Sequence, residues 1–247
     1  MNSSAAAPAA DATAPAPAAS ATHSPAAGIR VIITGATGMV GEGVLHECLH
    51  HPAVQAVLII NRKPLGLTHP KLTEVLHGDF FDLTAVESRL RGYNACYFCL
   101  GVSSVGMAAD EYYRLTYSLT LNFASTVHRL NPDLVFTYVS GAGTDTTEKG
   151  RSRWARVKGK TENDLLRLGF PHCYAFRPGF IRPTRGLTRA HSIYRWINWM
   201  YPLGRAFFPN GFVTLRELGL AMINITLRRD PSCVVSGTDI IRLAAAL

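Results

Sequence analysis

Between Ile29 and Gly43 the chain reads Ile-Arg-Val-Ile-Ile-Thr-Gly-Ala-Thr-Gly-Met-Val-Gly-Glu-Gly, and no other stretch limits its possible folds as tightly. An apolar run, Val31 to Ile33, stops at Thr34. Glycines follow at positions 35, 38 and 41, and an amphipathic segment begins at Met39. The order predicts a buried strand, a tight turn and a helix. Such a turn offers free backbone N–H groups and a positive helix end to a pyrophosphate. The residues in place to do so are Gly35, Thr37, Gly38, Met39, Val40 and Gly41. Glycine is needed because a Cβ would obstruct the turn, the phosphate or the packing of helix on strand.

The rest of the chain alternates strand and helix patterns. Helices are expected at 39–51, 84–91, 110–130, 153–168, 216–229 and 238–246. Strands are expected at 56–60, 72–77, 95–100, 134–139, 172–177 and 233–236. This implies an α/β fold: a doubly wound, mainly parallel sheet with helices on both faces. The 247 residues suit one domain, starting near Gly28. The first 27 residues are Ala-, Pro-, Ser- and Thr-rich and lack the large apolar side chains of a core, so they read as a disordered tail. The C-terminal third, with substrate-lobe elements at about 180–230, is expected to close a pocket above the carboxyl ends of the strands.

The formal charge is +8 with a pI near 9.5, much of it from 149–160 and 177–195. No nucleic-acid motif accompanies these cations, so no nucleic-acid partner is expected. No apolar run is long enough to span a bilayer. An aromatic segment, Tyr194 to Phe208, reads as substrate-pocket lining, with peripheral membrane contact the weaker alternative. The cysteines are odd in number and lack a disulfide framework, which fits a reducing compartment. Cys96 and Cys99 lie three apart in one strand pattern and so face opposite sides, as two core thiols. The tail has no basic n-region, and its first Arg is Arg30, which argues against secretory and organelle targeting. A cytoplasmic location is the expectation.

Asn61-Arg62-Lys63 closes the second strand, where an acid would hold the ribose hydroxyls of NAD. Arg62 and Lys63 can instead pair with a 2′-phosphate, which points to NADP, with NAD the alternative. The Gly-x-x-Gly-x-x-Gly order after Thr34 resembles the extended and atypical branches of the short-chain dehydrogenase/reductase superfamily. The resemblance runs from about residue 29 to 245. The stretches Val157-Lys158-Gly159-Lys160-Thr161-Glu162 and Phe176-Arg177-Pro178-Gly179 are most similar to the Tat-interactive oxidoreductase-like group. It implies a Rossmann-type fold, adenine contacts at Asp79 and Phe80, and cofactor-side loops at Leu100-Gly101 and Arg177-Pro178-Gly179. Active members carry a Tyr-x-x-x-Lys pair, whose Lys binds the nicotinamide ribose and whose Tyr exchanges a proton. A Ser on the preceding strand orients the carbonyl. Here Ser140 and Lys158 match, while Trp154 stands in the Tyr position.

Indole is a donor only and does not titrate near neutrality. A reduction would then draw its proton from Tyr112, Tyr113, Tyr138, Ser140 or water. Two functions follow: an NADP-dependent oxidoreductase or epimerase-like enzyme on a small carbonyl or alcohol, or a non-catalytic dinucleotide-binding sensor. The resemblance also implies a homodimer through the helices at 110–130 and 153–168. His46-Glu47-x-x-His50 matches a zinc-protease pattern. Val40, Val44, Leu45 and Cys48 form the helix's apolar stripe, however, and put both histidines on the opposite side, so no metal site is expected.

Overall fold

The computed structural model describes residues 28–184 and 211–246. The expectations for the tail at 1–27 and for the aromatic segment at 191–208 lie outside the described residues. Seven strands form one parallel sheet: β1 (Ile29–Thr34), β2 (Val54–Asn61), β3 (Leu72–Leu76), β4 (Ala95–Phe98), β5 (Val135–Val139), β6 (His172–Arg177) and β9 (Val234–Ser236). Their order is β3-β2-β1-β4-β5-β6-β9. The chain winds outward from β1 in one direction and from β4 in the other. The crevice beyond the carboxyl ends of β1 and β4 is therefore the switch point at which such sheets bind ligands.

Alternation along the strands divides the core in two. Val31 and Ile33 of β1, with Ala95 and Tyr97 of β4, face one layer; Ile32, Cys96 and Phe98 face the other. The first layer is covered by α1 (Met39–His50), α5 (Leu215–Arg228) and α6 (Gly237–Ala244). The second is covered by a 3₁₀ turn (Thr84–Leu90), α3 (Leu119–Leu130) and α4 (Arg153–Arg167). Each fully buried aliphatic side chain contributes about 1.5–3 kcal/mol. Both layers are needed because a sheet apolar on both faces must be covered on both.

The helix expected at 110–130 is not uniform. It starts as α2 (Ala109–Tyr113), passes through a π turn (Arg114–Ser118) and continues as α3. A short parallel pair, β7 (Phe180–Arg182) with β8 (Phe212–Thr214), was not foreseen; three-residue strands carry too little periodicity to be read. Of the span given to a substrate lobe, α5 belongs to the sheet-covering layer: Leu218, Ala221, Met222 and Ile225 are fully buried there. Its start is set by a capping box, Thr214 and Glu217 exchanging bonds.

Candidate functional site

The three glycines of the β1–α1 turn do three separate jobs. Gly35 has φ +71°, and a Cβ there would sit 2.8 Å from the Cys99 carbonyl at the end of β4. At Gly41 a Cβ would lie 2.2 Å from the Gly35 oxygen, so this glycine lets α1 rest on the turn. At Gly38 the nearest heavy atom to an added Cβ is the Gly35 oxygen at 3.4 Å, and the residue is exposed. Gly38 is thus bare toward the crevice, at the N-cap of α1, where a phosphate would approach. Met39 and Val40 pack partly against the core, and Thr37 is exposed beside Gly38. The cradle fits a dinucleotide pyrophosphate.

Next to it, at the carboxyl ends of β2, β3 and β4, lies a cavity of about 380 Å³. Arg62, Asp79, Phe80, Leu100 and Gly101 line it, all five read from sequence; so do Arg114 and Leu115 from the π turn, which were not. Arg114 lies over the Phe81 ring, its guanidinium carbon 4.4 Å from the centroid. The loop after β3 is held from two sides. His77 Nε2 bonds the Asp79 and Asp82 carbonyls at 2.6 Å, and Asn122 of α3 donates to the Phe80 and Phe81 carbonyls. Asn61 is buried and donates to Glu74 Oε1 at 2.8 Å; the same oxygen accepts from Leu65 N–H. Its side chain is therefore spent on fixing the Arg62–Lys63 loop. Lys63 is exposed beside Arg62.

At the other end of the crevice, β5 ends at Ser140 and α4 carries Trp154 and Lys158. A Cβ at Gly159 would sit 1.8 Å from the Asp145 carbonyl oxygen. That glycine lets α4 lie directly on the β5–α4 loop, which brings the Lys158 ammonium to donate to the Ser140 carbonyl. Burial lowers the Lys158 pKa to about 8, against the opposing pull of Glu162. The Ser140 hydroxyl donates to Glu162, with the Phe176 carbonyl 3.2 Å away. Arg177 grips the same carboxylate, Nε donating to Oε1 at 3.1 Å and the terminal nitrogen to Oε2. One sequence expectation changes here: Ser140 turns its hydroxyl into the protein instead of toward a carbonyl. The Arg177 guanidinium is engaged by Glu162, which leaves the backbone of the Arg177-Pro178-Gly179 turn where the sequence reading put it. The Pro178 carbonyl accepts from Ala142 N–H, tying its turn to the β5–α4 loop. At Gly179 an added Cβ would lie 2.4 Å from the Gly211 oxygen, so this glycine lets the Gly211 backbone pack against the turn.

The proposed alternative acids fare unequally. Tyr112 and Tyr138 are buried, 1% and 2% exposed, and desolvation raises both phenols above their ordinary range. Neither can meet a substrate. Tyr113 is exposed but packs on Tyr117, ring centroids 4.8 Å apart. The Trp154 indole lies by Gly143, where an added Cβ would meet it at 3.5 Å. Glu162 itself was missed by sequence reasoning. Its spacing from Ala155, Gly159 and Leu165 puts it on the buried stripe of α4, but in so polar a helix that spacing does not mark a carboxylate as buried.

The remaining motifs resolve simply. The His46 and His50 rings meet each other at a tilt, centroids 4.4 Å apart, while Glu47 is buried against Gly219 of α5. No group of three metal-ligating side chains occurs among the described residues. Cys96 is buried in one core layer and Cys99 packs against the other; burial pushes the Cys99 thiol up to about 12. No described helix is long and apolar enough to cross a membrane.

The NAD dependent epimerase/dehydratase family model matches residues 31–151, from β1 to the loop after β5. Among curated proteins, the chain is 27% identical over 217 residues to the mitochondrial protein fmp52 of Emericella nidulans, covering 85% of this chain and 92% of that one. It is 27% identical over 164 residues to the mitochondrial protein fmp52-1 of Aspergillus terreus, covering 64% and 69%. Among solved structures, a UDP-N-acetylglucosamine 4-epimerase from Methanobrevibacter ruminantium superposes with a TM-score of 0.61 at 15% identity, covering 87% and 80%. MoeE5 in complex with UDP-glucose and NAD gives 0.62 at 16%, covering 88% and 81%. The structural likenesses establish the fold. The family matched over residues 31–151 is, by its description, NAD dependent. The relatives' mitochondrial names overturn the expectation of a cytoplasmic location. Cysteine usage separates oxidising from reducing compartments but not one reducing compartment from another, and a tail without early Arg did not settle the matter.

Proposed function

We propose that the chain, which has an NAD-dependent epimerase/dehydratase-like fold, is a member of the short-chain dehydrogenase/reductase superfamily that binds NADP(H) and acts as an oxidoreductase or epimerase-like enzyme on a small carbonyl or alcohol. The observation that carries the cofactor choice is Arg62. It stands on the wall of the adenosine-side cavity, at the strand end where an acid would select NAD. A guanidinium there matches a 2′-phosphate in charge and in geometry.

The residues divide the binding between them. Gly35 to Gly41 and the α1 N-terminus take the pyrophosphate, and Asp79, Phe80, Leu100 and Gly101 take the adenosine. Lys158 takes the nicotinamide ribose, with Arg177, Pro178 and Gly179 forming the turn beside it. When bound, the nicotinamide supplies or accepts a hydride. Lys158 holds a proton within hydrogen-bond reach of Ser140 and brings a positive charge to that end of the crevice. Trp154 covers the same end without offering a titratable proton, and Ser140 offers its hydroxyl inward. Those two features favour a second reading, a dinucleotide-binding sensor that presents its cofactor state to a partner.

Calorimetric titration of NADPH and NADH tests the cofactor reading, with tighter NADPH binding expected. Equal affinities would remove it. Oxidation of NADPH against a panel of aldehydes and ketones separates the enzyme from the sensor. Tight binding with no turnover on any substrate decides for the sensor.

A further inference from the structure

Glu162 is the most heavily engaged side chain near the crevice, and nothing in the binding scheme above uses it. Its side chain is fully buried. It accepts from the Ser140 hydroxyl and from two nitrogens of Arg177, and it sits one helical turn after Lys158. Lys158 in turn donates to the carbonyl of the same Ser140. Ser140 is therefore gripped at both ends, its carbonyl by the ammonium and its hydroxyl by the carboxylate. A buried carboxylate is costly unless it is paired and hydrogen-bonded, and this one is both.

We propose that Glu162 is a positioning residue that keeps the Lys158 ammonium charged where the nicotinamide ribose is held. The proposal deepens the cofactor reading above and rests on it only for the ligand. Burial works against the ammonium; a carboxylate one turn away works for it. Glu162 also pairs with the Arg177 guanidinium, which brings a cation from β6 onto the same carboxylate. The other titratable groups around the carboxylate stay neutral near physiological pH. Cys173 on β6 is raised to about 12, and Tyr138 on β5 is raised by burial. Glu162, Arg177 and Lys158 are thus the charges that matter in this corner.

The experiment reads the Lys158 titration directly, by NMR of lysine side chains isotopically labelled at the ε position in the cofactor-free protein. The Lys158 signal is assigned by its absence from Lys158→Met. The expected wild-type midpoint is about 8. Glu162→Gln keeps an acceptor for Ser140 but removes the charge. Its midpoint should fall by on the order of one pH unit, as for the loss of a close opposite charge. Glu162→Asp, which restores the charge, should recover part of the shift. A merely structural role would not move the midpoint with charge in this way. Should Glu162→Gln not fold, Glu162→Gln with Arg177→Met removes both members of the buried pair, a change such sites tolerate better than losing one. Its midpoint should still fall, because the carboxylate charge is gone.

An unchanged midpoint in the folded Gln variant or in the double variant overturns the proposal. So does a wild-type midpoint at the ordinary lysine value. NADPH affinity, measured across the same pH range, should weaken as Lys158 discharges, and at lower pH in the Gln variant. If NADPH binds the wild type at no pH, the cofactor reading falls, while the lysine titration still decides the role of Glu162.

Discussion

On the β2–β4 side of the crevice, binding is prepared by backbone; on the β5–β6 side, by side chains that hold each other. The first side has a turn with a left-handed glycine, an exposed glycine at a helix N-cap and an open cavity lined by loops. Its design depends on the absence of side-chain atoms. The second side is filled. Ser140, Lys158, Glu162 and Arg177 occupy one another's donors and acceptors, and Trp154 stands in the position of a phenol. A backbone site tolerates little change, since an added Cβ meets another main chain. A side-chain network can exchange its members and keep the fold. The contrast explains how one chain can keep a backbone cradle while its side-chain end departs from the Tyr-x-x-x-Lys pattern that it otherwise resembles.

The sharpest way to break the contrast is to restore the missing phenol. Trp154→Tyr places it four residues before Lys158, on the same helix face. NADPH-dependent turnover of aldehydes and ketones should rise by ~10²–10⁴-fold, the usual worth of a positioned acid. A wild type that is already fast, and is slowed by this change, would show that the reaction end has its own proton source, with exposed Tyr113 the first to replace.

Next in size is the difference between two neighbouring glycines. Gly41→Ala drives a methyl to 2.2 Å from the Gly35 oxygen and should cost about 1–3 kcal/mol of stability, read by thermal or denaturant unfolding. Gly38→Val should leave the melting temperature of the free protein nearly unchanged and remove its stabilisation by NADPH. If the Gly38 variant is stabilised by cofactor as strongly as the wild type, the turn does not hold the phosphates.

A smaller effect is expected at Arg62. Its replacement by Ala should reduce the NADPH-to-NADH affinity ratio by roughly ten- to a hundredfold, as for loss of a charge-assisted bond. NADH affinity should stay within error. A parallel fall for both cofactors would move Arg62 from selecting the phosphate to shaping the cavity.

The smallest effect lies on the filled side. Lys158 titrates at about 8 in the folded protein against 10.5 for an ordinary lysine. Between those values the unfolded chain binds more protons, so the Lys158 contribution to stability rises with pH across that window. Below pH 8 its full cost is present. Relative to Lys158→Met, the wild type should gain no more than about 1.4 kcal/mol per pH unit there. A flat difference would mean that the ammonium is not desolvated.

The same division governs what could be read from the sequence. The cradle was legible because glycine spacing reports backbone directly, and the strands because Val31–Ile33 and Ala95–Phe98 are continuous apolar runs. Arg62 was legible by position. Glu162 was not, since in a helix as polar as Arg153–Arg167 a carboxylate reads as solvent-facing; its burial depends on Arg177, which folding brings from β6. The inward turn of Ser140 follows from that same pair. Arg114 was hidden because an apolar pattern over 110–130 fits a uniform helix, and the pattern carries no mark of a π turn.

That π turn acts as a phase shifter. An ordinary helix advances about 100° per residue, so one residue of surplus rotates everything on one side of it relative to the other. After the turn, Leu119, Phe123 and Val127 face the core; within and before it, Arg114 and Leu115 reach the cavity while Tyr112 is buried. A single-residue deletion at Thr116 would return the segment to one unbroken helix and carry Arg114 and Leu115 off the cavity wall by about a quarter turn. The helix would still anchor the sheet. The shape of that cavity thus hangs on a residue count in a helix rather than on any one side chain.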